Sequence, residues 1–264
     1  MRSIFSQVWP RVAAIGGLLT VWWLVSQSGF LEDYQLPPPG DVGRSLVDDW
    51  VSTPPGATEG IFAALQKSLL RLAIGMGISV IVGTVIGAAM AGSQFIQRSV
   101  GSLMTGLQAL PSIAWLPLAI LWFGLNERAI MFVVIIAAIP AVAIAAASSI
   151  RLVPPLLIRA GRTLGAKGWE LQRSIVLPAA VPGYVAGLQQ AWALAWRALM
   201  AGELISTGAQ GLGHLMDVER QALHTDTVIA VMVVIVIVGM LVEFGFGAWD
   251  RRVRGRRGLL LTTG

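Results

Sequence analysis

Six apolar stretches, separated by segments that hold most of the charge, constrain this chain more than any other feature of its sequence. About 20 apolar residues suffice for a helix to cross the hydrocarbon core of a bilayer, where every backbone polar group must be satisfied within the chain. We therefore predict an all-α, multi-pass integral membrane protein whose residues 1–264 form a single transmembrane domain. The predicted spans cover residues 12–26, 68–91, 103–123, 129–148, 180–201 and 228–249.

The composition excludes several other classes of protein. Charged residues make up only 12% of the chain and hydrophobic residues 55%, whereas a soluble domain carries about 25% charged residues. These values exclude disorder and argue against a cytosolic enzyme, and the absence of cysteine excludes disulfides and thiolate metal sites. The net charge of +5 fits contact with anionic membrane lipid better than a nucleic-acid partner.

The distribution of basic residues between the loops predicts the orientation, since cytoplasmic loops are enriched in lysine and arginine. With a cytoplasmic N-terminus, the inner segments hold Arg2, Arg11, Arg98, Arg151, Arg159, Arg162, Lys167, Arg173, Arg251, Arg252, Arg254, Arg256 and Arg257. The outer loops hold only Arg44, Lys67, Arg128 and Arg220. We therefore predict an even number of spans with both termini in the cytoplasm.

The first apolar stretch is short and also fits a second interpretation. Arg2 and Arg11 precede an apolar run, and residues 26–28 form a weak cleavage site with small residues, as in a signal peptide. The bulky side chains of Trp22 and Trp23 just before that site argue against cleavage. We favour a retained first span, and a cleaved one stays the alternative.

The longest inner segment, residues 150–178, is predicted to form two short helices joined by a glycine bend. Pro154 and Pro155 end the fourth span, a helical stretch follows to residue 164, and Gly165 and Gly168 separate it from a second stretch that ends at Val176. The segment is too polar to cross a membrane. It is either a docking surface for a soluble partner or a basic loop held at the lipid surface.

Ionisable residues at membrane depth are costly and are candidates for function. Arg71 lies near the predicted outer end of the second span and is expected to snorkel to the interface. Arg197 attracts an anionic substrate, or it pairs with Glu243 of the sixth span or with an acid of a second subunit. Glu203 lies six positions beyond Arg197, off its helix face, and is expected near the outer mouth of a pathway.

The third span is predicted to bend, because Pro111 and Pro117 interrupt its hydrogen bonds and free backbone carbonyls. Those carbonyls, together with Gln108, Ser112 and Trp115, form a candidate pathway lining.

In the second span, Gly83 and Gly87 form a Gly-x-x-x-Gly motif, which predicts close contact between helices, within or between subunits.

No catalytic motif is present. The sequence contains no Gly-x-x-x-x-Gly-Lys-Ser/Thr phosphate loop, no Gly-x-Ser-x-Gly and no His-Glu-x-x-His. Any ATP hydrolysis must come from another chain, and we predict no catalytic residue, cofactor or metal site in this one.

Several segments of the sequence together resemble a known protein family. Residues 159–166, followed at the right distance by residues 175–178, resemble the coupling-loop signature of ABC importer permeases. The resemblance to the nitrate/sulfonate/taurine branch is carried by residues 36–39, 110–124, 195–199 with Glu203, 211–213 and 225–226. Together these pieces extend over roughly residues 30 to 255.

The resemblance implies a type I importer fold in a bacterial inner membrane. It implies two permease copies, two cytoplasmic ATPase subunits that bind ATP and Mg, and a periplasmic or lipid-anchored substrate-binding protein. The coupling residues implied for the ATPase are Arg159, Ala160, Gly161, Leu164, Gly165, Ala166, Glu170, Leu177 and Pro178. The implied substrate is a small oxyanion such as an aliphatic sulfonate, taurine or nitrate.

The chain departs from the family pattern at three positions. Arg159 stands where the signature has Glu, Gly161 where it has a second Ala, and Gln108 near a position where related permeases carry Arg. The last departure removes one candidate cation for an anionic substrate. Other interpretations are a permease for a different small solute such as a thiamine-precursor pyrimidine, an ion-coupled secondary transporter, or a membrane scaffold that transports nothing.

Overall fold

The computed structural model describes residues 4–30, 32, 34–54, 57, 59–206 and 208–255, and every regular element in these ranges is a helix. The prediction of an all-α chain is confirmed. The helices are α1 (Ile4–Gln27), α2 (Pro39–Asp48), α3 (Ile61–Gly92), α4 (Gln94–Ala109), a 3₁₀ turn (Ser112–Trp115), α5 (Leu116–Phe123), α6 (Glu127–Arg151), α7 (Pro155–Thr163), α8 (Gly168–Leu171), a π turn (Gln172–Val176), α9 (Leu177–Ile205), α10 (Leu212–Gln221) and α11 (Thr225–Gly255). Arg2, Arg256 and Arg257, which the orientation argument counts, lie outside the described residues.

Three described helices are long and apolar enough to cross a membrane: α3, α6 and residues 225–252 of α11. A fourth crossing is possible if the bent pair of α4 and residues 112–123 forms one span. The apolar part of α1, Ala13–Gln27, is shorter. The count of six spans and the orientation therefore stay predictions.

The third predicted span, residues 103–123, is not one helix. α4 begins earlier, where the Ser93 hydroxyl accepts a hydrogen bond from the backbone N–H of Ile96, and it ends at Ala109. Leu110 is extended (φ −73°, ψ 124°), as expected for the residue before a proline. The two parts meet at 99°. The predicted bend is confirmed, and α4 begins nine residues before residue 103, where the predicted span starts.

The contacts divide the chain into two compact units. Of the described residues, those up to residue 66 and those in 210–236 belong to the first unit, and those in 67–209 and 237–255 belong to the second.

Small residues bring α3 and α9 close to α6 in the second unit. A Cβ placed on Gly83 would lie 2.7 Å from Val142 Cβ, and one on Gly87 would lie 2.6 Å from Ala146 Cβ. On α9, a Cβ on Gly187 would collide with Ala145 Cβ. The Gly-x-x-x-Gly motif therefore packs α3 against α6 within the subunit. Of the two predicted contacts, within or between subunits, this is the first. α6 supplies the largest set of buried residues in this unit.

Candidate functional site

A cavity of about 240 Å³ opens where the chain breaks between α4 and the 3₁₀ turn. The predicted pathway residues Gln108, Ser112, Trp115 and Arg197 all line it. The rest of the lining is formed by Leu107, Ala109, Leu110, Pro111, Ile113, Ala137 and Leu194. Residues that are separated by more than 80 positions in the sequence are thus brought to one cavity, because α9 lies beside the bend of the third predicted span.

Arg197 is exposed and lines this cavity from α9. Within the described part of the chain, no carboxylate oxygen lies within 4.0 Å of its guanidinium. Glu243, a predicted partner of Arg197, instead accepts a hydrogen bond from Gln189 Nε2 at 3.0 Å. Trp115 is oriented by an edge-on contact with Phe132, with ring centroids 6.4 Å apart. The lining of the cavity therefore combines a guanidinium with an amide, a hydroxyl and an indole. All four groups can donate hydrogen bonds, and the amide and the hydroxyl can also accept them.

Glu203, the fifth predicted pathway residue, does not line the cavity. Its side chain is completely buried and forms an ion pair with Arg71 Nη1, and both carboxylate oxygens accept from Ser68 Oγ at 2.7 and 2.9 Å. Arg71 is only 5% exposed, and its Nε donates to Glu127 Oε1 at 3.2 Å. The expectation that Arg71 snorkels is wrong, whereas the expected position of Glu203 near the outer mouth of a pathway stays a prediction. These residues connect α3, α6 and α9.

The 150–178 segment has the two short helices that its sequence predicts, α7 and α8. α7 packs on the rest of the unit through Ile158, which contacts the buried cluster of Val153, Val176 and Ala180. The predicted end of the second stretch at Val176 is wrong. A π turn continues α8 into α9, so Leu177 and Pro178 begin α9 without a break in the helical run.

Glycines shape this segment in two different ways. Gly165 (φ +94°) and Gly168 (φ +52°) have left-handed backbones, which glycine adopts without strain. Gly161 is buried, and a Cβ there would lie 3.0 Å from Leu171 Cδ1 and would collide with Ile175 Cδ1. The departure of Gly161 from the signature therefore lets the π turn pack closely on α7.

The implied coupling residues fall into an exposed and a buried group. Arg159, Ala160, Leu164, Gly165, Glu170 and Leu177 are exposed, Ala166 and Pro178 are half-buried, and Gly161 is buried. Large apolar side chains stand in solvent on both sides of the bend, with Leu164 87% and Trp169 71% exposed. Exposed apolar side chains beside basic residues are typical of a protein contact surface.

The first unit contains a polar cluster that was not predicted from the sequence. Glu219 of α10 is completely buried, and its Oε2 lies 2.8 Å from His224 Nδ1. Thr227 Oγ1 donates to Asp49 Oδ2 at 2.9 Å, and Ser45 Oγ donates to Asp226. The spacing of Glu219 and His224 was the available signal, but Asp49 lies far away in the sequence. No group of three or more metal-ligating side chains occurs among the described residues.

Burial raises the pKa of both Glu219 and Asp49 above the ordinary values, although the His224 and Thr227 hydrogen bonds act in the opposite direction. Both carboxyls lie outside the predicted spans. A carboxyl whose pKa is higher in the folded than in the unfolded state binds protons preferentially when folded. Its protonation therefore stabilises the fold as the pH falls through the raised pKa towards the unfolded value of about 4.

We expect α10 to open less readily at about pH 4.5 than at pH 7.5, a range that extends down to the ordinary carboxyl pKa. Hydrogen–deuterium exchange of residues 212–221, corrected for the intrinsic rate, measures this opening. Glu219→Gln should flatten the dependence because an amide does not titrate. Asp217→Asn on the same helix serves as the control and should keep it. Faster opening at low pH in the unmodified protein would contradict the prediction.

Comparison with known proteins gives a consistent result. Residues 79–255 match the family model described as "binding-protein-dependent transport system inner membrane component". The taurine transport system permease protein TauC of Escherichia coli is 31% identical over 94% of this chain and 89% of that protein. The bicarbonate transport system permease protein CmpB of Synechococcus elongatus is 30% identical over 91% of this chain and 87% of that protein.

A solved structure shows the same fold. A chain of the MetNI methionine ABC transporter in an inward-facing conformation superimposes with a TM-score of 0.62, covering 73% of this chain and 95% of that chain. Its sequence identity is 21%, so the comparison bears on the fold alone. The fold is that of a type I ABC importer permease.

Proposed function

Because the chain belongs to the family of binding-protein-dependent transport system inner membrane components, we propose that it forms the translocation pathway for a small oxyanion such as an aliphatic sulfonate, taurine or nitrate. The chain is an ABC importer permease for a small solute and is not an enzyme, since its relatives are permease subunits and hydrolysis belongs to a separate subunit. An ATPase and a substrate-binding protein are therefore its partners.

The position of Arg197 carries the proposal on the substrate. It places a guanidinium at a cavity in which the described residues offer it no carboxylate partner. A guanidinium binds planar oxyanions through paired hydrogen bonds, and Ser112 and Trp115 add donors. The relatives are named for taurine and bicarbonate, which are both small molecules with an anionic oxygen group.

The proposed assembly has two copies of this permease, two cytoplasmic ATPase subunits that bind ATP and Mg, and a binding protein on the opposite face of a bacterial inner membrane. Both termini and the 150–178 segment lie on the ATPase side, as the basic residues favour. The exposed residues around Gly165 then contact the ATPase, and α9 transmits its movement directly because the π turn leaves no flexible break before Leu177.

We expect Arg197→Gln to reduce anion uptake about tenfold, the effect of losing about 1.4 kcal/mol of binding from a charged hydrogen-bonding group. Arg197→Lys should keep part of the activity, because it retains the charge without the planar fork. The measurement is taurine and nitrate uptake by proteoliposomes that contain the permease, ATPase and binding protein. Arg98→Gln, which removes an exposed charge from α4, is the control and should transport normally.

Unchanged uptake in Arg197→Gln would remove the support for an oxyanion. Uptake of a pyrimidine with no uptake of either anion would replace that substrate class with a heterocycle.

A further inference from the structure

The cavity at the α4 break holds a positive charge without any negative one. Its eleven lining residues include Arg197 and no aspartate or glutamate. The acids among the described residues of the same unit are Glu127, Glu170, Glu203, Glu243 and Asp250, and none of them lines the cavity. Glu127 and Glu203 contact Arg71, and Glu243 contacts Gln189. The described residues that line the cavity therefore carry a net positive charge.

We propose that the permease cavity itself prefers small monoanions to zwitterions, so that taurine binds more weakly than the other proposed substrates, with neutral Gln108 as a specificity-determining residue. The proposal deepens the function proposed above and rests on it. An anionic group accepts hydrogen bonds from Arg197. The ammonium group of a zwitterion would meet neutral acceptors such as the Gln108 amide and the Ser112 hydroxyl, but no carboxylate among the described lining residues. Neutral acceptors do not cancel the charge of Arg197, which repels the ammonium group.

The length of the substrate brings the two positive charges together. In a substrate of two carbons and one sulfonate, the ammonium group lies close to the sulfonate, and therefore close to Arg197 when the sulfonate binds there. Like charges at such separations repel. The apolar residues Leu107, Ile113 and Leu194 offer the ammonium no acceptor through their side chains.

Taurine and isethionate test the proposal as a matched pair. Both carry a sulfonate on a two-carbon chain, and they differ only in an ammonium group in place of a hydroxyl. We expect isethionate to bind at least tenfold more tightly than taurine. The measurement is isothermal titration calorimetry on the permease–ATPase complex in lipid nanodiscs without the binding protein, so that the binding protein's own selectivity does not enter.

Gln108→Glu supplies the missing negative charge at nearly constant shape. It should reduce the preference for isethionate at least fivefold, because the new carboxylate receives the ammonium group of taurine. Gln94→Glu makes the same change at an exposed position on the same helix and should leave the preference unchanged. Arg197→Gln should weaken the binding of both ligands.

The outcomes separate the two proposals. Equal affinity for taurine and isethionate in the unmodified protein, with both lost in Arg197→Gln, would overturn the selectivity and leave the oxyanion pathway standing. Binding of neither ligand at millimolar concentration would overturn the oxyanion assignment as well. The ratio measured on the unmodified protein decides the question even if Gln108→Glu does not fold.

Discussion

Replacing Glu203 with alanine is expected to destabilise the folded subunit by about 3–5 kcal/mol, which is the usual cost of removing one member of a buried ion pair. The Arg71 guanidinium is 5% exposed, so it would keep its charge away from water after the loss of the buried carboxylate. Ser68 Oγ would lose both carboxylate oxygens as acceptors as well. The measurements are the thermal midpoint of the detergent-purified protein and the fraction that elutes as a monodisperse species.

Two controls test whether the loss of stability comes from breaking a buried ion pair rather than from removing any carboxylate. Glu127 is 67% exposed, so Glu127→Gln should change stability by less than about 1 kcal/mol, as is typical of surface pairs. The double variant Arg71→Met with Glu203→Leu should recover most of the loss, because it removes both charges together and fills the same space. A double variant no more stable than Glu203→Ala would mean that the pairing is not the source of the stability.

Much of the fold followed from local composition. Apolar length predicted helices at every position where the described chain has a long one, because a helix is the way for a single apolar segment to satisfy its backbone in lipid. Gly165 and Gly168 predicted the bend between α7 and α8, since few other residues adopt those backbone angles. Four of the five predicted pathway residues meet at one cavity.

The errors concern contacts between helices that are distant in sequence. Arg71 and Glu203 are 132 positions apart, and an arginine near the end of an apolar helix is equally compatible with snorkelling. Ser68 and Arg71 lie three positions apart on one face of α3. This pair of polar residues was the available signal for burial against a polar partner. The identity of that partner depends on how α3, α6 and α9 pack, which one sequence does not specify.

The observed helices also begin at other residues than the predicted spans. A predicted span is the part of a helix that is expected to cross the bilayer, whereas helical hydrogen bonding can begin before it. α3 starts at Ile61 and α9 at Leu177, before the spans predicted from residues 68 and 180. The sequence signal at Pro178 is ambiguous, because proline ends one helix as readily as it begins the next.

Disrupting the bend at Gly165 is expected to abolish uptake while ATP hydrolysis by the assembled transporter continues. Gly165 has φ +94°, and an added Cβ meets no atom within 4 Å, so the only effect of Gly165→Ala is backbone strain of about 1–2 kcal/mol. That strain reorients Leu164 and Trp169, whose exposed side chains flank the bend. Leu164→Ser combined with Trp169→Ala removes the contact surface itself and should give the same phenotype without strain.

Uptake and hydrolysis are measured together in proteoliposomes that contain the permease, ATPase and binding protein. Gly29 also has a left-handed backbone (φ +68°) with open space around its Cβ position, so Gly29→Ala imposes a similar strain far along the sequence from the 150–178 segment. It should leave the ratio of uptake to hydrolysis unchanged. Normal coupling in both Gly165→Ala and the Leu164/Trp169 variant would place the ATPase contact elsewhere. Loss of coupling in Gly29→Ala as well would show that strain, and not the docking surface, is responsible.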